Sequence, residues 1–219
     1  MNTLLPVNAL AAVSVPEMEQ TPSSPNPSPG LQALRTQVLP FQAPGCSLWS
    51  YHSPVGRLYI RANEKAIVSV CWQLPGNAVN EDEPSAQCLS AVTQPVAKML
   101  YRFLEQYFQG EPVDGAHIPV DFSVGTPFQQ AVWQALREIP RGSVCTYRQL
   151  AQRVGSPKAF RAVGQANGRN PAALLVPCHR VVAADGGLGG YMLGHGQHPL
   201  AIKQALLALE GAWPATATV

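Results

Sequence analysis

The chain has 219 residues, 46% of them hydrophobic, enough for one large domain or two small ones around a buried core. Its formal net charge is only +2, but residues 1–140 carry 7 basic and 11 acidic side chains while residues 141–219 carry 8 and 2. The five cysteines are odd in number without Cys-x-x-Cys spacing, no basic residue precedes Arg35, and no run is apolar enough to span a bilayer; together these argue against a disulfide framework, a zinc knuckle, a secretory signal and a membrane anchor, and favour a reducing, cytoplasmic setting.

Residues 1–44 are rich in Pro, Ser, Ala and Gln, with Pro25, Pro27 and Pro29 in a polar run, and are expected to be a disordered tail. From Cys46 the runs LWSYHSPVGRLYI and AIVSVCW hold aromatic and β-branched residues separated by the turn residues Pro54, Gly56 and Asn63, which predicts strands of an antiparallel sheet. The acidic stretch 76–85 reads as a loop. Val92, Val96, Met99, Leu100, Phe103 and Tyr107 then recur at helical spacing until Gly110, predicting a helix that covers one face of the sheet. Beyond a connector with Pro112, Gly115, Pro119 and Gly125, Thr126-Pro127-Phe128-Gln129 carries a cap, a first-turn proline and a capping-box glutamine. The helix it opens has the stripe Phe128, Val132, Ala135, Leu136 and Ile139, and ends at Pro140-Arg141-Gly142. Residues 147–154 and 157–167 read as two short helices around Gly155-Ser156, with Ser156 as cap and Pro157 opening the second.

These two helices make a helix-turn-helix pattern inside a stretch, 141–184, that holds Arg141, Arg148, Arg153, Lys158, Arg161, Arg169 and Arg180 and no acid. Such a stretch can neutralise phosphates; it can equally be a solvated face, and paired short helices with a glycine turn occur in many α domains. The run 174–182, Leu-Leu-Val-Pro-Cys-His-Arg-Val-Val, sets reactive residues in the middle of an apolar strand, where buried polar groups need a reason. A cysteine becomes a nucleophile when a base or positive charge favours its thiolate, and His179 and Arg180 adjoin Cys178. Neighbours on a strand point to opposite faces, so His179 would act through a water or after a local turn. A small buried thiol beside a satisfied histidine is the plain alternative.

Taken together, Pro177-Cys178-His179-Arg180, the upstream run from Thr146 to Ala151, the run from Pro157 to Gly164, Asn170-Pro171 and the late run from Leu206 to Gly211 resemble the O6-alkylguanine-DNA alkyltransferase family, the methylated-DNA–protein-cysteine methyltransferases. The resemblance is dense from Pro127 to Gly211, mostly architectural from 46 to 110, and absent from the tail. It implies that Cys178 accepts the alkyl group, that His179 activates it through a water, and that Glu210 orients and charges the histidine. Tyr147 would donate toward guanine N3, helping the purine leave, and Arg161 would fill the gap left by the flipped nucleotide. Asn170, grouped with the DNA-contacting residues, would join the recognition helix to the reactive strand; Lys158, Arg169 and Arg180 would contact DNA, with Lys158 and Arg169 as simple phosphate contacts. The glycine-rich run 185–191 would wall the guanine pocket, with Val181, Tyr191 and Met192 lining it. Residues 192–199 depart from the family's shorter Gly-Gly-Leu link; His195 and His198 lack a third ligand, so no metal is expected.

The expected fold is α+β: a tail 1–44, a domain 45–120 with a ribonuclease-H-like antiparallel sheet and covering helix, and a mostly helical domain 121–213 carrying the site and the helix-turn-helix. The expected activity is DNA repair by single transfer of an alkyl group from O6-alkylguanine in double-stranded DNA, with O4-alkylthymine as a further candidate. No cofactor is needed, because the DNA is the donor, and the chain is expected to act as a monomer. A lesion binder without transfer would not need Cys178, a cysteine acyltransferase would need an oxyanion hole and leaves the basic stretch unexplained, and a plain regulator leaves Cys178-His179 unexplained.

Overall fold

A computed structural model describes residues 46–72, 94–192 and 199–213. The expected tail, the acidic loop at 76–85, and His195 and His198 lie outside these residues. Strands β1 (Ser47–Ser53), β2 (Gly56–Ala62) and β3 (Ile67–Cys71) form an antiparallel meander in chain order. Ser53 pairs with Gly56 across a two-residue turn, where Gly56 takes φ +119 and Ser53 Oγ donates to its carbonyl at 2.6 Å. Leu58, Ile60 and Ala62 alternate inward along β2, and helix α1 (Pro95–Phe108) brings Val96, Leu100, Phe103, Leu104 and Tyr107 into the same core.

β3 does not end the sheet as a bare edge. Ile67 N–H donates to Pro119 O and Ile67 O accepts from Asp121 N–H; Val70 N–H donates to Pro171 O and Val70 O accepts from Ala173 N–H, at 2.8–2.9 Å. The backbone just before the reactive run is thereby fastened to the N-terminal sheet.

Helix α2 (Pro127–Arg137) has the predicted capping box, with both Thr126–Gln129 bonds formed, an arrangement worth about 1 kcal/mol. Its Arg137 Nη2 donates to the carbonyls of Gly115, Ala116 and Ile118, which fixes the connector, and Trp133 Nε1 donates to Ala166 O at 2.8 Å. A second capping box, Thr146 with Gln149, opens α3 (Tyr147–Arg153) directly after the two-residue strand β4 (Cys145–Thr146). The last helix, α5 (Pro199–Leu209), buries Lys203, Leu206 and Leu207. Among the described residues no helix is long and apolar enough to cross a membrane.

Two expectations are corrected. The second helix of the pair, α4 (Phe160–Gly168), starts at Phe160 and not at Pro157, and no side chain caps it. Ser156 is used to finish α3 instead: Gly155 turns left-handed at φ +71 and Ser156 N–H donates back to Ala151 O. Residues 174–182 are not one strand. Leu174 sits at φ +71, Leu175 and Cys178 N–H donate to carbonyls two residues back, Cys178–Arg180 is a single 3-10 turn, and only β5 (Val181–Val182) pairs, in parallel, with β4. Pro177 has no N–H for a ladder, and the chain folds into tight turns around it.

Candidate active site and DNA-binding face

Because Cys178 and His179 share a 3-10 turn, both are turned inward: Cys178 is 2% exposed and His179 0%. The objection that strand neighbours face apart therefore falls. His179 Nε2 donates to Glu210 Oε1 at 2.9 Å, and since a carboxylate only accepts, Nδ1 is the ring nitrogen with a free lone pair. Nδ1 is buried and has no hydrogen-bond partner among the described residues. Burial holds the His179 pKa below its usual value against the opposing pull of Glu210, so the ring rests neutral and able to take a proton. Burial also raises the Cys178 thiol, with Asn170 and Lys203 opposing, so the resting sulfur is protonated and needs a base.

Asn170 Nδ2 donates to Cys178 Sγ at 3.0 Å and to Val176 O at 2.6 Å, while its Oδ1 accepts from Ala172 N–H. Both ends of the amide are thus spent within the protein, which corrects its grouping with DNA contacts and places it against the sulfur. Asn167, on α4, reaches the Cys178 carbonyl at 3.4 Å. Helix α4 is tied to the Cys178 turn through Asn167, and the segment that follows the helix is tied to it through Asn170.

Arg180 is corrected more sharply. It is 6% exposed, its Nε and Nη2 grip the two oxygens of Glu210 at 2.8 Å, and its Nη1 donates to Ile139 O at 2.6 Å. Three of its five N–H groups are engaged inside the protein and the side chain is buried, so it faces the carboxylate and not a phosphate; against burial, the His179 hydrogen bond and then the Arg180 contacts hold Glu210 ionised, below the usual carboxylate range.

Tyr147, the first residue of α3, is half-buried, and its hydroxyl donates to Gly190 O at 3.1 Å. Burial raises its pKa, so it stays a donor. Gly189 beside it has φ +66, and a Cβ there would lie 3.0 Å from the Tyr147 ring, so both the backbone and the close approach require glycine. Val181 and Tyr191 are buried and Met192 is half-buried at φ +51. Tyr191 is buried beside Cys178, with its hydroxyl directed at the thiol. On the outer side, Lys158 and Arg161 are exposed and Arg169 is half-buried. The Arg161 guanidinium lies 5.9 Å from the ring of the exposed Phe160.

Lys203 was missed from sequence. It is fully buried, and its Nζ donates to Val181 O at 2.6 Å, to Gly190 O at 3.1 Å and to Leu188 O, gathering β5 and the glycine-rich run around one ammonium. The signal was there: Lys203 stands three and four residues before Leu206 and Leu207, on the buried stripe of its helix. Among the described residues no group of three or more His, Cys, Asp or Glu side chains could hold a metal.

A buried thiol backed by a histidine–carboxylate pair, and joined through α4 to a helix-turn-helix with exposed cations, defines a thiol nucleophile built on a DNA-binding frame. Family models described as 6-O-methylguanine DNA methyltransferase match this chain twice, the ribonuclease-like domain over residues 49–122 and the DNA binding domain over residues 127–212. The methylated-DNA–protein-cysteine methyltransferase of Methanosarcina acetivorans is 39% identical over 163 residues, covering 74% of this chain and 96% of the relative. That of Haemophilus influenzae is 41% identical over 160 residues, covering 73% and 83%. The structure of Mycobacterium tuberculosis OGT in complex with DNA superposes with a TM-score of 0.60 at 34% identity, covering 77% of this chain and 95% of that one. The chain belongs to the methylated-DNA–protein-cysteine methyltransferase family.

Proposed function

We propose that this protein repairs double-stranded DNA by moving an alkyl group from O6 of a guanine to Sγ of its own Cys178. The observation that carries this reading is the Cys178–His179 turn, with Asn170 on the sulfur and Glu210 behind the imidazole. In the reaction an S–C bond forms as the C–O6 bond breaks, and the guanine leaves with the electron pair. The thiol proton passes through a bridging water to His179 Nδ1, Glu210 supports the imidazolium, and Tyr147 supplies a proton or hydrogen bond at N3 and is restored from solvent. A thioether has no easy route back to a thiol, so each molecule acts once, as a monomer in the cytoplasm and without a cofactor.

A sulfur only 2% exposed cannot reach a base inside a duplex, so the damaged nucleotide must leave the stack. Arg161 takes its place, Lys158 and Arg169 hold phosphates, and Val181, Tyr191 and Met192 line the pocket that receives the base. The division of labour follows 45–120 and 121–213, with the chemistry in the second part.

The test is the mass of the intact chain after incubation with an O6-methylguanine duplex. One added methyl per chain, mapped to the Cys178 peptide and absent in Cys178→Ala, is expected; stoichiometric transfer in the alanine variant would overturn the assignment.

A further inference from the structure

The carboxylate behind His179 is held from the other half of the molecule as well. Tyr107, on α1 and within the region matched as ribonuclease-like, is fully buried, and its hydroxyl donates to Glu210 Oε1 at 2.7 Å across 103 residues of sequence. The same Oε1 accepts from Arg180 Nη2 at 2.8 Å and from His179 Nε2 at 2.9 Å, whereas among the described residues Oε2 accepts from Arg180 Nε alone. An ionised carboxylate oxygen offers about two lone-pair sites. Three donors therefore compete for Oε1, and what the phenol takes is not available to the imidazole.

We infer that Tyr107 is a positioning residue of the transfer reaction: it takes a share of Glu210 Oε1 and so sets how strongly that carboxylate supports protonated His179. The phenol is a permanent donor in this place, since burial and then the Glu210 charge lift its pKa well above the ordinary tyrosine value. The groups that face Glu210 are Tyr107 from α1 and His179 and Arg180 from the 3-10 turn; the Lys203 charge acts on His179, Tyr191 and Glu210 feel each other through space, and Arg141 lies 4.8 Å over the Tyr107 ring while its Nη2 donates to Leu209 O. Arg141 thus steadies both the tyrosine and the chain entering Glu210. The ribonuclease-like half does not only support the fold; it reaches into the relay.

The sign follows from competition. Tyr107→Phe keeps the ring and its packing but returns a lone pair of Oε1 to the imidazole N–H, so protonated His179 is favoured and persists to higher pH. Since neutral His179 is the form that accepts the thiol proton, the acid side of the transfer profile moves up.

This inference rests on the His179–Glu210 relay proposed above. The experiment is the pH dependence of transfer to free O6-benzylguanine, which needs no base flipping, for the full chain, Tyr107→Phe, Glu210→Gln and the double variant, read by intact mass. Expected is an acid-side midpoint raised by roughly half to one pH unit in Tyr107→Phe, with no further movement when Tyr107→Phe is added to Glu210→Gln. An unmoved midpoint in Tyr107→Phe, whatever its melting temperature, would reduce the tyrosine to packing and overturn the inference while leaving the relay standing. A shift that persists in the Glu210→Gln background would also overturn it, because the effect would run elsewhere. If Glu210→Gln leaves the midpoint in place, the relay itself fails and takes this inference with it.

Discussion

His179 and Glu210 are shifted in ways that bear on stability as well as chemistry. His179 has an ordinary pKa near 6.5 that the fold lowers, burial being the main cause; below 6.5 the unfolded chain binds a proton that the folded ring resists. Glu210 has an ordinary value near 4.5, also lowered in the fold by His179 and Arg180, so below 4.5 the unfolded chain again holds the extra proton. In both windows the unfolded state binds more protons, and stability falls as pH falls. The melting temperature should therefore drop in two stages, first below about pH 6.5 and again below about pH 4.5, and Glu210→Gln should flatten the lower stage. A melting temperature in wild type that stays level from pH 7 to pH 5 would show that His179 is not held neutral.

At the scale of elements, α3 and α4 form the turn that presents Arg161, and the separation of that arginine from the sulfur can be tested. Arg161→Ala should slow transfer from duplex DNA strongly, by a penalty on the order of a few kcal/mol, comparable with unstacking a base, while transfer to free O6-benzylguanine stays near wild type. Equal loss on both substrates would give Arg161 a structural role instead. Much of this element was legible beforehand, because the Gly155-Ser156 turn and the motif around Cys178 are local patterns. What was illegible has a physical reason in each case. Arg180 looked like one more cation of a basic stretch, yet its partner Glu210 lies 30 residues away, and only packing reveals that the guanidinium turns inward. The 174–182 run has strand composition, but Pro177 and the left-handed Leu174 decide its path, and no propensity announces a leucine at positive φ. Tyr107 read correctly as a core position of a helix; that its hydroxyl touches the site depends on a contact over 103 residues.

For the whole molecule, the two matched regions share one hydrophobic core that runs from Trp49 and Ile67 through Leu100 and Trp133 to Leu206. They also share a sheet edge: Ile67 is bonded to the connector and Val70 to Pro171 and Ala173. That edge has a consequence for biosynthesis. Chains are made from the N-terminus at roughly 5–20 residues per second, so about a hundred residues separate the emergence of Val70 from that of its Pro171–Ala173 cover, an interval on the order of 5–20 seconds. During that time the nascent sheet offers unpaired N–H and C=O groups to any passing strand. A chain stopped at residue 165 should therefore precipitate or be degraded, whereas one stopped at residue 190, which has its Pro171–Ala173 cover but no relay carboxylate, should stay in solution to a greater extent although it cannot complete the site. Equal solubility of the two fragments would mean that the edge is protected by something other than the strand that leads into Cys178.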